Sequence, residues 1–130
     1  MRIWLALSVL LSGCAASEDF QQLQQQLSGY AEVAATGAGL DEYLAGGALA
    51  SAEQSAGLIR KLGYRQLGLA QFRLDSASGG TATGCVDFSG VEIVDSAGEL
   101  VQPSRSEALG FRAEYDKQYL LTKLAVSGPC

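Results

Sequence analysis

The chain has 130 residues, 48% of them hydrophobic, and a formal charge of -5, which fits one domain with a real core and excludes global disorder. There is no histidine, so the commonest general base near neutral pH and the commonest transition-metal ligand are both absent. Its closest cationic cluster, Arg60-Lys61-Arg65, sits in an acidic excess; a duplex-binding protein needs clustered Lys and Arg to displace counterions, and no nucleic-acid partner is expected.

Met1-Arg2 is followed by the apolar run Ile3 to Leu11 and then by Ser12-Gly13-Cys14. A positive start, a short apolar run and small residues before a break form an export signal. A helix over that run would reach about 14 Å against a hydrocarbon core of about 30 Å, too short for a standard span. Leu11-Ser12-Gly13-Cys14 looks like a bacterial lipobox, in which the thiol takes a diacylglyceryl group and the bond before it is cut. Two acyl chains hold a protein stably where one holds it only reversibly. The expected organisation is a signal peptide at 1–13, a lipidated tether at 14–18 and one domain at 19–130. An ordinary cleaved leader, with Cys14 a structural thiol, is the alternative.

The chain has three cysteines, an awkward number for an exported protein unless one is otherwise occupied. Lipidation of Cys14 leaves Cys85 and Cys130 to pair, in a compartment where a disulfide persists. No CxxC metal or redox motif is present. The expected disulfide is structural, holding the last strand.

From Glu18 the chain reads as helix, with Phe20, Leu23, Leu27 and Tyr30 at spacings of three and four and the glutamines on a solvated face. Ser17 is placed to cap the start, and Glu18 and Asp19 suit the positive end of the helix dipole. Thr36-Gly37-Ala38-Gly39 breaks it, Leu40 to Leu44 makes a short turn, and Gly46-Gly47 interrupts again. Ala48 to Leu62 is the next helix, with Leu49, Ala52, Ala56 and Ile59 on one stripe. Gly63 stops it, with Arg60 and Lys61 in the last turn where cations are favoured.

Beyond Gly63 the texture is that of strands. Leu67 and Leu69 share one parity, and Ala70, Phe72 and Leu74 the other, which a bulge near Leu69 would reconcile. Ser76 to Gly80 reads as a loop, Thr81 to Phe88 as a strand extended by Val91 and Ile93, and Asp95-Ser96-Ala97-Gly98 as a hairpin turn. Leu109, Phe111, Ala113 and Tyr115 alternate, Asp116-Lys117 turns, and Tyr119 to Val126 forms the last strand. Helices followed by an antiparallel meander make an α+β fold.

Tyr43-Leu44 before an Ala-rich helix, Cys85-Val86-Asp87 followed by Ile93-Val94-Asp95-Ser96-Ala97-Gly98, and the closing Gly128-Pro129-Cys130 resemble small actinobacterial lipoproteins of the cystatin-like, NTF2-like superfamily. The resemblance runs from about Glu18 to Cys130. It implies a curved antiparallel sheet wrapped around helices to form a cone. Members often carry Gly-Trp at the last hairpin, where this chain has Gln118-Tyr119, so the resemblance puts Tyr119 at the mouth of the cone.

Some NTF2-like relatives are isomerases or dehydratases, whose chemistry needs a base and an oxyanion-stabilising Tyr or Asp. The components available are Asp87, Glu92, Glu114, Tyr30, Tyr43 and Tyr119. Each of the three carboxylates alternates against apolar neighbours, the pattern of a solvated face. Tyr30, Phe72, Phe111 and Tyr119 are candidates to line a pocket, although a small core needs aromatics as well. Gly46-Gly47 and Gly79-Gly80 lack a phosphate-binding pattern. No acidic cluster has EF-hand spacing. The expectation is therefore a membrane-anchored extracytoplasmic lipoprotein with a non-catalytic domain that binds a protein or small molecule, without cofactor or metal. The alternative is a small NTF2-like isomerase or dehydratase with a carboxylate base.

Overall fold

The computed structural model describes residues 18–130. The leader, the lipidation site Cys14 and the Ser17 cap lie outside the described residues. Helix α1 (Glu18–Thr36) buries Leu23, Leu27 and Ala31, with Phe20, Tyr30 and Val33 packed at the margin of the core. Burying a leucine completely contributes about 1.5–3 kcal/mol, so this stripe is what holds α1 down. The helix ends where Gly37 takes a φ of 74° and donates its N–H to the Val33 carbonyl at 2.7 Å, a left-handed cap that glycine adopts without cost to a Cβ.

A single 3₁₀ turn (Leu40–Glu42) leads to Leu44. Here the chain borrows a strand partner: Leu121 N–H donates to the Tyr43 carbonyl and Ala45 N–H to the Leu121 carbonyl, both at 2.9 Å. Helix α2 (Gly46–Lys61) then starts two residues earlier than the sequence suggests. It packs chiefly on the last strand and only lightly on α1. Leu49, Ala52 and Ala56 touch the core, yet no residue of α2 is fully buried.

Seven strands follow: β1 (Arg65–Leu67), β2 (Gln71–Ser78), β3 (Thr81–Asp87), β4 (Glu92–Val94), β5 (Leu100–Gln102), β6 (Leu109–Tyr115) and β7 (Leu121–Pro129). All their pairings are antiparallel. Four form one sheet in the order β2-β3-β6-β7, and three form a smaller one in the order β1-β4-β5. The inner face of the larger sheet carries Leu74, Ala82, Val86, Leu109, Phe111, Ala113 and Leu121 against α1. The fold class is α+β, as expected.

The single meander is corrected. The chain changes sheet three times, at Gly68–Ala70, at Phe88–Val91 and between Gln102 and Leu109, and the first two crossings touch. Gly68 has a φ of 76°, and a Cβ there would collide with the Gly90 carbonyl oxygen. Leu69 is therefore not a bulge but part of a crossover; the bulge of β2 lies between Leu74 and Ser76. The expected loop at Ser76–Gly80 shrinks to Gly79-Gly80. Their φ values of 61° and 82° make a two-residue hairpin turn, and Ser78 pairs with Thr81. The turn at Asp95 is as expected: the Asp95 carboxylate accepts N–H groups from Ala97 and Glu99 at 2.9 Å, and Gly98 has a φ of 82°. The last strand starts at Leu121 and runs on to Pro129, because Tyr119 belongs to the turn, with a φ of 63°.

The glutamine face also needs correction. Gln21, Gln22 and Gln25 are exposed, but Gln24 and Gln26 are half-buried. The Gln24 Nε2 donates to the Phe72 carbonyl at 2.9 Å and its Oε1 accepts the Leu74 N–H at 2.9 Å. One side chain thus satisfies two of the outward backbone groups of β2, the edge strand. Gln26 donates to the Tyr119 carbonyl at 3.2 Å.

Candidate functional site

The small side chains of α2 cannot fill the space between that helix, α1 and the sheet. A hollow of about 290 Å³ results, with Tyr30 and Ala34 of α1 on one wall and Ala48, Ala52, Ala56 and Ile59 of α2 on the other, over Leu40, Leu44 and Leu124. It shares Tyr30, Ala34, Gln66 and Leu124 with a second hollow of about 180 Å³, lined also by Phe72, Phe88, Val91 and Val126. Phe88, Val91 and Val126 in turn border a third, of about 290 Å³, closed by Leu109, Pro103, Gln102 and Arg105. The three read as one groove along the inner side of β7. Its lining is apolar apart from Ser51, Ser55, Gln66, Gln102, the Tyr30 hydroxyl and Arg105 at one end. Burial in this wall pushes the Tyr30 hydroxyl above its ordinary pKa.

Three of the four aromatics expected at a pocket meet in a ladder. Tyr30 and Phe72 are tilted with centroids 6.0 Å apart, and Phe72 meets Phe111 edge-to-face at 5.3 Å. Tyr30 and Phe72 line the groove, whereas Phe111 packs beneath them in the core, 3% exposed. Tyr119 stands apart. Its hydroxyl donates to the Asp19 carboxylate at 2.5 Å and its ring stacks on Tyr115. It closes the first turn of α1 onto the β6–β7 hairpin instead of bordering the groove. Hydrogen bonding to Asp19, with the nearby negative charges, pushes its pKa up to about 12.

The carboxylates lie elsewhere. Asp87 is on the outer face of the larger sheet, where its Oδ1 accepts the Ser89 N–H at 2.8 Å, a bond that holds the carboxyl below its ordinary range. Glu114, also outward, lies 3.5 Å from Lys123 Nζ. Glu92 is exposed on β4. None of the three borders the groove, so they do not assemble a base beside a tyrosine there. The Tyr43 ring packs against α1 at Gly29. Among the described residues, no group of three or more His, Cys, Asp or Glu is placed to hold a metal ion, and no helix is long and apolar enough to cross a membrane.

Cys85 and Cys130 are joined by a disulfide, with alpha carbons 5.9 Å apart. The bridge passes over β6 at Gly110, the cross-strand neighbour of Cys85. A Cβ at Gly110 would come within 2.8 Å of Ser127 Oγ, so the absence of a side chain lets the end of β7 lean across.

No family model matches the sequence, and neither does any curated protein. Among solved structures, the chain is similar to the intermembrane-space region of the chloroplast protein ARC6. The TM-score is 0.54 at 16% identity, over 83% of this chain and 95% of that one. The likeness is one of fold alone. Sequence reasoning missed Gln24, Gln66 and the small-residue wall of α2. The alanines were visible, but as a packing stripe; only the distance at which α2 docks turns them into a groove.

Proposed function

We propose that this is an exported lipoprotein, held through Cys14 on the extracytoplasmic face of a bacterial membrane, whose domain binds an apolar small molecule or an apolar segment of a protein without converting it. The observation that carries the binding reading is the groove itself. Its three hollows adjoin through shared side chains and are lined mainly by apolar residues, with a few polar groups spaced among them, the composition expected of a ligand site. The outward placement of Asp87, Glu92 and Glu114 favours binding over base catalysis. A membership of the NTF2-like class is supported by the bulged four-stranded sheet closing over α1, and the lipid anchor by the lipobox and the short leader. Arg105 is the one cation among the groove's described lining residues, which favours an apolar ligand over a nucleic-acid backbone.

The test uses the mature chain from residue 14 with Cys14→Ser, titrated with an alkyl-chain fluorophore whose emission rises in apolar surroundings. Saturable binding is expected, and Ala52→Phe, which fills the first hollow, should weaken it at least tenfold with an unchanged circular dichroism spectrum. Equal binding by the filled variant would remove the groove from the reading.

A further inference from the structure

The Cys85–Cys130 bridge has chemically unequal halves. Cys85 lies at the centre of the larger sheet, 6% exposed, while Cys130, just past β7, is exposed. The Arg73 Nη2, directly across from Cys85 on β2, lies 3.2 Å from the Cys85 sulfur. The Arg73 Nε, on the same edge of the guanidinium, lies 3.5 Å from the Asp75 carboxylate, so one edge of this exposed side chain faces both the sulfur and that carboxylate. Asp87 borders the hollow above Cys85 together with Gln71 and Arg73. Nothing in a purely structural bridge requires a cation against one sulfur.

We propose that this bridge is a thiol-exchange site, at which a dithiol reductant attacks the Cys130 sulfur and displaces Cys85 as a thiolate beside Arg73. In the first step the reductant's thiolate forms a bond to the Cys130 sulfur as the bond between the two protein sulfurs breaks, and the electron pair leaves on Cys85. In the second, the other thiol of the reductant gives its proton to water and attacks its own partner sulfur in the mixed disulfide. Cys130 departs as a thiolate, the reductant leaves as a cyclic disulfide, and the protein has gained two electrons. The direction follows from three features. A leaving thiol of lower pKa leaves faster, and an adjacent guanidinium lowers a thiol's pKa. The exposed sulfur is the accessible one, and Asp87, which borders the hollow above Cys85, repels an anionic nucleophile from that side. The exchange acts on the groove as well: Leu109, which pairs with Pro129, and Val126 both line its third hollow.

The test uses the same mature chain with Cys14→Ser, which contains every described residue. Reduction by excess dithiothreitol is followed by mass after alkylation. Arg73→Gln should slow it severalfold and Arg73→Lys should recover most of the rate, with the difference vanishing in denaturant. A variant that merely loosened the fold would be reduced faster, the opposite sign. With glutathione and a rapid acid quench, peptide mapping should find the glutathionyl group on Cys130. Glutathione on Cys85, or an unchanged rate in Arg73→Gln, overturns the proposal.

Discussion

Gln24 shows how much one side chain can decide. Its carboxamide offers a donor and an acceptor at the spacing of a strand's own backbone, and β2 takes both, at Phe72 and Leu74. Gln24→Ala leaves two partly buried backbone groups without partners and should cost about 1–3 kcal/mol, read as a lower urea midpoint. It also uncovers a strand edge, so the variant should aggregate at lower concentration. Tyr119 is a second such residue. Because its pKa in the fold, about 12, stands above the ordinary value near 10, the Asp19 bond stabilises the fold fully below about pH 10 and is lost as pH rises through about 12. Urea midpoints measured across that window should fall more for the native chain than for Tyr119→Phe.

At the scale of elements, α1 and the larger sheet are firmly joined and α2 is not. Leu23 and Leu27 are fully buried between α1 and the sheet, whereas Leu58 on α2 and Leu62, just past its end, are more than half exposed. The disulfide belongs to the firm part. It spans a sequence separation of 45 and ties the end of β7 across β6 to β3. Replacing both cysteines by serine should cost about 4 kcal/mol on the chain-entropy account. Amide exchange should rise first from Val126 to the end of β7, because that stretch is exposed and lies beyond the contacts of Leu121 and Leu124 with the core. Equal acceleration throughout the larger sheet would mean that the bridge holds the whole sheet and not its last strand.

For the whole molecule, the proposed location and the proposed binding rest on different stretches of sequence and can be tested separately. The lipid reading rests on residues ahead of the fold, and Cys14→Ser should move the protein from the membrane to the soluble fraction and remove the diacylglyceryl mass, since serine cannot form the thioether. The residues that line the groove lie between Tyr30 and Val126, so the released form should bind the alkyl probe equally well.

The succession of helices before strands, the α+β class, the apolar stripe of α1, the Asp95 turn and the pairing of Cys85 with Cys130 were legible in the sequence. Each depends on local periodicity, on turn chemistry or on simple counting, which neighbouring residues express without help. Strand β5 (Leu100–Gln102) was missed. The division into two sheets was not legible. It turns on the contact of Gly68 with Gly90, residues distant in sequence whose glycines mark a turn equally well in either topology. Nor was the role of Gln24, because a glutamine in a helical pattern reads as solvated until a strand edge is brought beside it. The parting of Tyr119 from Tyr30 and Phe72 was decided the same way: composition offers aromatics, and only the docking of α1 against the β6–β7 hairpin at one end and the groove at the other assigns each its place. The groove itself is a tertiary fact, since alanines on α2 mean close packing or empty space according to the distance at which the helix comes to rest.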